Sequence, residues 1–139
     1  MSTWGIHVFE NDAAQELVDE VLDGTFRLDE YRGTFRSEED EDFIPADPGA
    51  RLLAMGAILR VADDSEAPAA AALEEIAGTD ELDLSTFRAQ FSDEDVLTLH
   101  ELIGVVLREP ASSELFERWE ESGEHEEWLA VSRAAAVPN

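Results

Sequence analysis

The chain has 139 residues, no cysteine and a net charge of -25, from 34 acidic residues against nine arginines and no lysine. Such a surface repels phosphates and anionic lipid heads, which argues against nucleic-acid and membrane-surface partners; the absence of cysteine removes disulfides, thiolate zinc sites and cysteine nucleophiles. An apolar fraction of 44% suits one folded domain, 1–139, that buries roughly two-thirds of the surface its unfolded chain exposes.

Trp4-Gly5-Ile6-His7-Val8-Phe9-Glu10-Asn11-Asp12 lies at the start of the sequence. Two large rings flank a glycine, and residues 1–9 read as an aromatic turn plugging one end of a helical core. Asn11 sits where a helix N-cap belongs, and Asp12 places negative charge at the positive end of the helix dipole. Ala14, Leu17, Val18, Val21 and Leu22 then mark one buried helical face, which Asp23-Gly24 ends. Residues 25–46 read as an irregular acidic segment: Phe26 and Leu28 alternate like a strand, Leu28, Tyr31 and Phe35 follow helical spacing, and Gly33 weakens both. Within it Glu38, Glu39, Asp40, Glu41 and Asp42 form a like-charge block that reads as a solvated loop, pinned back by Phe43 and Ile44.

Asp47-Pro48 predicts the start of a second helix, with Asp47 as N-cap and Pro48 at the first helical position. Leu52, Leu53, Met55, Gly56, Ile58 and Leu59 make it apolar on most sides, so it is the expected central helix, with Gly56 at a close helix crossing. An alanine-rich helix follows from Pro68 to Ala77, with Leu73 and Ile76 inward and Gly78 closing it. Asp80 to Gln90 reads as an acidic connector anchored by Leu82, Leu84, Phe87 and Phe91. Ser92 and Asp95 form a variant capping box that opens the longest patterned helix, to Arg108, with Val96, Leu99, Leu102, Ile103, Val106 and Leu107 inward. After Pro110, Ser112 or Ser113 caps a helix with Leu115, Phe116 and Trp119 as its stripe and a Glu114–Arg118 pair at i,i+4. Gly123 ends it; a last helix from Glu124 carries Trp128 and Leu129, and residues 134–139 read as a frayed tail. The whole is an all-α single-domain bundle of about five or six helices.

The pattern Trp-Gly-x-x-x-Phe-x-Asn-Asp at the N-terminus resembles the opening of a mainly bacterial family, domain of unknown function 4259. Its members continue as helices with an acidic, tryptophan-bearing segment near the end, here Ser113 to Glu121. The resemblance implies a helical fold across most of the chain, leaves residues 24 to 46 outside it, and carries no activity to transfer.

Chemistry is sparsely encoded. His100-Glu101 begins like a zincin motif, but position 104 is glycine; no Glu-x-x-His precedes His100 or His125; and Asp40-Glu41-Asp42 lacks the ligand order of a calcium loop. His125, beside Glu124, Glu126 and Glu127, reads as a solvated charge partner. Phosphate-cradling loops and a serine-nucleophile elbow are missing, so no catalytic residue, metal or cofactor is assigned. The acidity has three readings: a solubilising surface, a surface complementary to a basic partner, or adaptation to high salt. From these follow two functional expectations for a soluble, cytoplasmic protein. One is an interaction module of immunity or regulatory type, binding a basic protein through residues 38–42 with Trp119 and Trp128. The alternative is a ligand-binding or hydrolytic domain with a pocket near Trp4, His7, Asn11 and Asp12, in the motif that also holds Gly5 and Phe9.

Overall fold

The computed structural model describes residues 9, 11–31, 43–64, 70–76 and 84–136. Within them the chain forms eight helical segments: α1 (Asp12–Asp23), α2 (Leu28–Tyr31), α3 (Ala46–Asp63), α4 (Ala70–Ile76), α5 (Leu84–Ala89), α6 (Asp93–Val106), α7 (Glu114–Ser122) and α8 (His125–Ala136). The two segments beyond the six expected from the sequence are the single turn α2 and the short α5. No strand occurs among the described residues, and an isolated parallel bridge joins Ile44 to Ser113. Among the described residues, too, no helix is long and apolar enough to cross a membrane.

The bundle is built around α3, which at 18 residues is longer than α6, the helix the sequence pattern favours as longest. Its side chains from Leu52 to Leu59 are all buried, because α1, α4, α5, α6, α7 and α8 surround it. At Gly56 both α6 and α8 approach α3 closely: a β-carbon there would lie 2.6 Å from Ile103 Cδ1 and 2.9 Å from the Ala136 carbonyl oxygen. The close crossing expected at this glycine is therefore present. On the other side of the contact, Ala135 and Ala136 are buried, and Arg60 of α3 donates to the Ala134 carbonyl at the end of α8. A cation there complements the negative end of the helix dipole. The frayed tail expected from residue 134 is thus corrected for Ala134 to Ala136, which complete α8; residues 137–139 lie outside the described residues.

Local signals set the ends of α1, α6 and α7. Asn11 Oδ1 accepts from the Ala14 N–H at 2.8 Å, and Gly24 ends α1 with φ +76°. At α6, Ser92 Oγ accepts from the Asp95 N–H at 3.1 Å while the Ser92 N–H donates to Asp95 Oδ2 at 3.0 Å, closing the capping box. Of the two candidate serines, Ser113 caps α7, its fully buried hydroxyl accepting from the Phe116 N–H at 3.2 Å. Leu22, expected on the buried face of α1, is 37% exposed, because the buried stripe ends at Val21.

The start of α3 differs from its sequence reading. Pro45 occupies the cap position without a side-chain acceptor, and Asp47 lies exposed in the first turn. The acceptor comes instead from α7: the Ala46 N–H donates to Glu114 Oε1 at 2.8 Å. Ile44 makes this possible, since its N–H donates to Ser112 O and its carbonyl accepts from the Glu114 N–H, both at 3.0 Å. Two helix N-termini are thereby stapled together, and one carboxylate serves both dipoles.

A second long-range clasp joins the chain after α1 to the chain after α5. Gln90 accepts from the Leu28 N–H at 3.0 Å and donates to the Phe26 carbonyl at 3.1 Å, so one side-chain amide satisfies the backbone at the start of α2. Behind it the rings of Phe26, Phe87 and Phe91 pack with centroids 4.8 to 6.4 Å apart. This cluster gives α5 its helical form and corrects the reading of residues 84–89 as connector. Leu82, Gly33, Gly78 and the block Glu38 to Asp42 lie outside the described residues.

Candidate functional site

Three places could carry function, and each is limited by its own geometry. At the N-terminal motif, Phe9 is buried in the core and its carbonyl accepts from Gln15 Nε2 at 3.1 Å, tying the turn to α1. Asn11 is nearly buried with its oxygen engaged as the cap, whereas Asp12 is exposed. Trp4, Gly5 and His7 lie outside the described residues.

A cleft of about 50 Å³ opens between α1, the following turn and α5, lined by Val21, Gly24, Phe26, Arg27, Thr86, Phe87 and Gln90. Arg27 Nη1 bends back to donate to the Gly24 and Phe26 carbonyls at 3.2 and 2.7 Å. An apolar cavity that admits a benzene ring has a volume of about 150 Å³. This cleft has room for a few atoms at most.

The third place is the hairpin of α7 and α8. Leu115, Phe116 and Trp128 take its inner faces, and Gly123, with φ +83°, turns the chain between the helices. Trp128 is only 2% exposed: Phe116 meets its ring edge-on at 5.7 Å and Trp119 lies nearly parallel at 6.3 Å. Its expected place on an interaction surface is corrected by this burial, because α8 turns Trp128, Ser132, Ala135 and Ala136 toward the core. Trp119 is half-buried and keeps part of its ring at the surface.

With the apolar residues turned inward, the glutamates point out. Glu117, Glu120, Glu121, Glu124, Glu126 and Glu127 are all exposed, and among the described residues no ion pair engages their carboxylates. Arg118, the one arginine of this stretch, is drawn toward the start of α7 by Glu114 at 3.4 Å. Glu120 and Glu121 stand in the last turn of α7, where a helix dipole favours cations, so their placement is unfavourable for the isolated helix.

Among the described residues no group of three or more His, Cys, Asp or Glu side chains is placed to hold a metal ion. His125 lies beside Phe116, ring centroids 6.1 Å apart, rather than in a set of ligands. Neither a curated protein nor a solved structure matches the chain. The family described as Domain of unknown function (DUF4259) matches residues 2–131, and the chain belongs to that family.

Proposed function

We propose that the protein is an interaction module, of immunity or regulatory type, that docks a basic protein on the acidic surface of the α7–α8 hairpin. The observation supporting this reading is the set of six exposed glutamates, engaged by no cation among the described residues and including two set against the α7 dipole. A field of one sign accelerates encounter with a partner of the opposite sign and weakens as salt screens it. The partly exposed ring of Trp119, backed by the buried Trp128, supplies an anchor of the kind that dominates interface energetics.

The test is affinity capture from host lysate at low and high salt, with the wild-type chain and with a variant carrying Glu117→Gln, Glu120→Gln, Glu121→Gln and Glu124→Gln. One basic protein, captured stoichiometrically by the wild type at low salt and lost both at high salt and by the variant, supports the reading. Equal capture by the variant refutes it.

A further inference from the structure

The chain's 34 acidic residues act on its own fold as well as on a partner, and its nine arginines offset them little. Among the described residues, Arg27 and Arg60 turn to backbone carbonyls, and three ion pairs form: Arg51–Glu16, Arg88–Asp63 and Arg118–Glu114, at 3.2 to 3.4 Å. Each of the three carboxylates is more than a third exposed, and pairs this open to water contribute little. The placement of the other carboxylates adds to the repulsion. α1 ends with Asp23 exposed in its last turn and α7 with Glu120 and Glu121, and neither helix has a basic residue there. Both helices thus set carboxylates against the negative end of their own dipole. α6 is arranged the other way, with Asp93, Glu94 and Asp95 in its first turn, where negative charge is favourable.

We propose that ionic strength controls the stability of this fold: mobile cations gathered by the acidic surface screen the repulsion that the arginines leave in place, and as salt falls the bundle loosens first at the ends of α1 and α7. Folding gathers a net charge of -25 into a small volume, whereas the unfolded chain spreads it, so self-repulsion weighs against the compact state. The Debye length is about 30 Å at 0.01 M salt and about 3 Å at 1 M. In the dilute case charges across the whole molecule repel one another; in the concentrated case only adjacent ones do. A fold held by exposed ion pairs responds in the opposite direction, because the same screening weakens attraction. Since no group of carboxylates among the described residues is placed to hold an ion, the cations act as an atmosphere. The effect belongs to the chain by itself and does not depend on a basic partner.

Thermal unfolding of the full chain, followed by circular dichroism from about 0.01 to 1 M sodium chloride, tests this. The melting temperature rises by about 10 °C or more, with most of the rise below about 0.3 M, and potassium chloride acts equally. At low salt, amide exchange quickens in the last turns of α1 and α7 more than in α3. Glu120→Gln with Glu121→Gln raises the melting temperature at low salt and flattens its salt dependence. Asp93→Asn with Glu94→Gln changes the net charge equally but raises it less, because charge is removed from the favourable end of a helix.

A melting temperature that stays flat or falls with salt overturns the proposal. So does a rise that appears only toward the highest salt and is larger in sodium sulfate at equal ionic strength, which is the response of any fold to an excluded salt. Equal behaviour of the two double variants refutes the role given to the helix ends. Full stabilisation by micromolar calcium at low salt also overturns the proposal, because a specific site and not a screened field then holds the fold.

Discussion

Replacing Gly56 and Gly104 separately by alanine gives the sharpest test of the packing described above, because helix propensity assigns both changes the same sign and the structure assigns them different ones. In a helix interior, glycine to alanine stabilises by about 1 kcal/mol. At Gly104 the new methyl group meets open space, so Gly104→Ala gains that amount. At Gly56 the methyl would stand 2.6 Å from Ile103 Cδ1, 2.9 Å from Ala136 O and 3.3 Å from Ala136 Cβ. The end of the Ile103 side chain can rotate, although it is fully buried and has little room to enter. The Ala136 carbonyl is backbone, and α8 has to move to relieve it while Arg60 holds the neighbouring Ala134 carbonyl. Overpacking of this kind costs about 1 to 3 kcal/mol, which leaves Gly56→Ala between neutral and about 2 kcal/mol destabilised once the propensity gain is subtracted.

The assay is urea unfolding followed by circular dichroism. Gly104→Ala should move the midpoint up and Gly56→Ala should leave it unchanged or move it down, with equal slopes. The two variants then differ by about 1 to 3 kcal/mol, and each kilocalorie corresponds to roughly 4 °C in melting temperature for a chain of this size. If Gly56→Ala stabilises as much as Gly104→Ala, α3 does not approach α8 closely and the account of the core is wrong.

Other consequences can be checked the same way. Asn11→Ala removes the acceptor for the Ala14 N–H and should cost about 1 kcal/mol, while capture of a basic partner is unchanged; loss of capture without loss of stability would favour the pocket reading of this motif. Glu114→Ala strips the Ala46 N–H of its acceptor and should cost about 1.5 kcal/mol, whereas Glu114→Gln keeps an oxygen in place and loses chiefly the exposed pair with Arg118, for less than about 1 kcal/mol. Equal effects of the two changes would show that the ion pair, not the cap, matters. Gln90→Ala releases both the Leu28 N–H and the Phe26 carbonyl, and should cost about 1 to 2 kcal/mol with faster amide exchange at Leu28. An unchanged exchange rate there would refute the clasp.

What the sequence makes legible is what depends on residues three or four apart. The caps of α1, α6 and α7 are each formed by a side chain accepting from a backbone N–H three positions on, so the amino acids that make them sit side by side in the chain. The cap of α3 is not of that kind. Asp47-Pro48 has the form of a helix start, yet the acceptor used is Glu114, 68 residues from Ala46, and it arrives only because Ile44 pairs with the chain before α7. At α5, Phe87 within the helix and Phe91 just after it are visible as anchors, but six residues give no period from which a helix could be inferred. Ala134-Ala135-Ala136 offers no apolar pattern either; Ala136 packs where Gly56, in a different helix, has no side chain.

The candidate surfaces follow the same logic with the sign reversed. Trp128 reads as a candidate contact because tryptophan is costly to expose and useful at interfaces; the turn at Gly123 sends it inward against Phe116 and leaves the hairpin glutamates outside. The exposed glutamates are therefore the complement of a buried stripe. Gly56 and Gly104 both sit inside helices at equal intrinsic penalty, and only their surroundings distinguish them: Ile103 and Ala136 close over the first, and among the described residues nothing closes over the second.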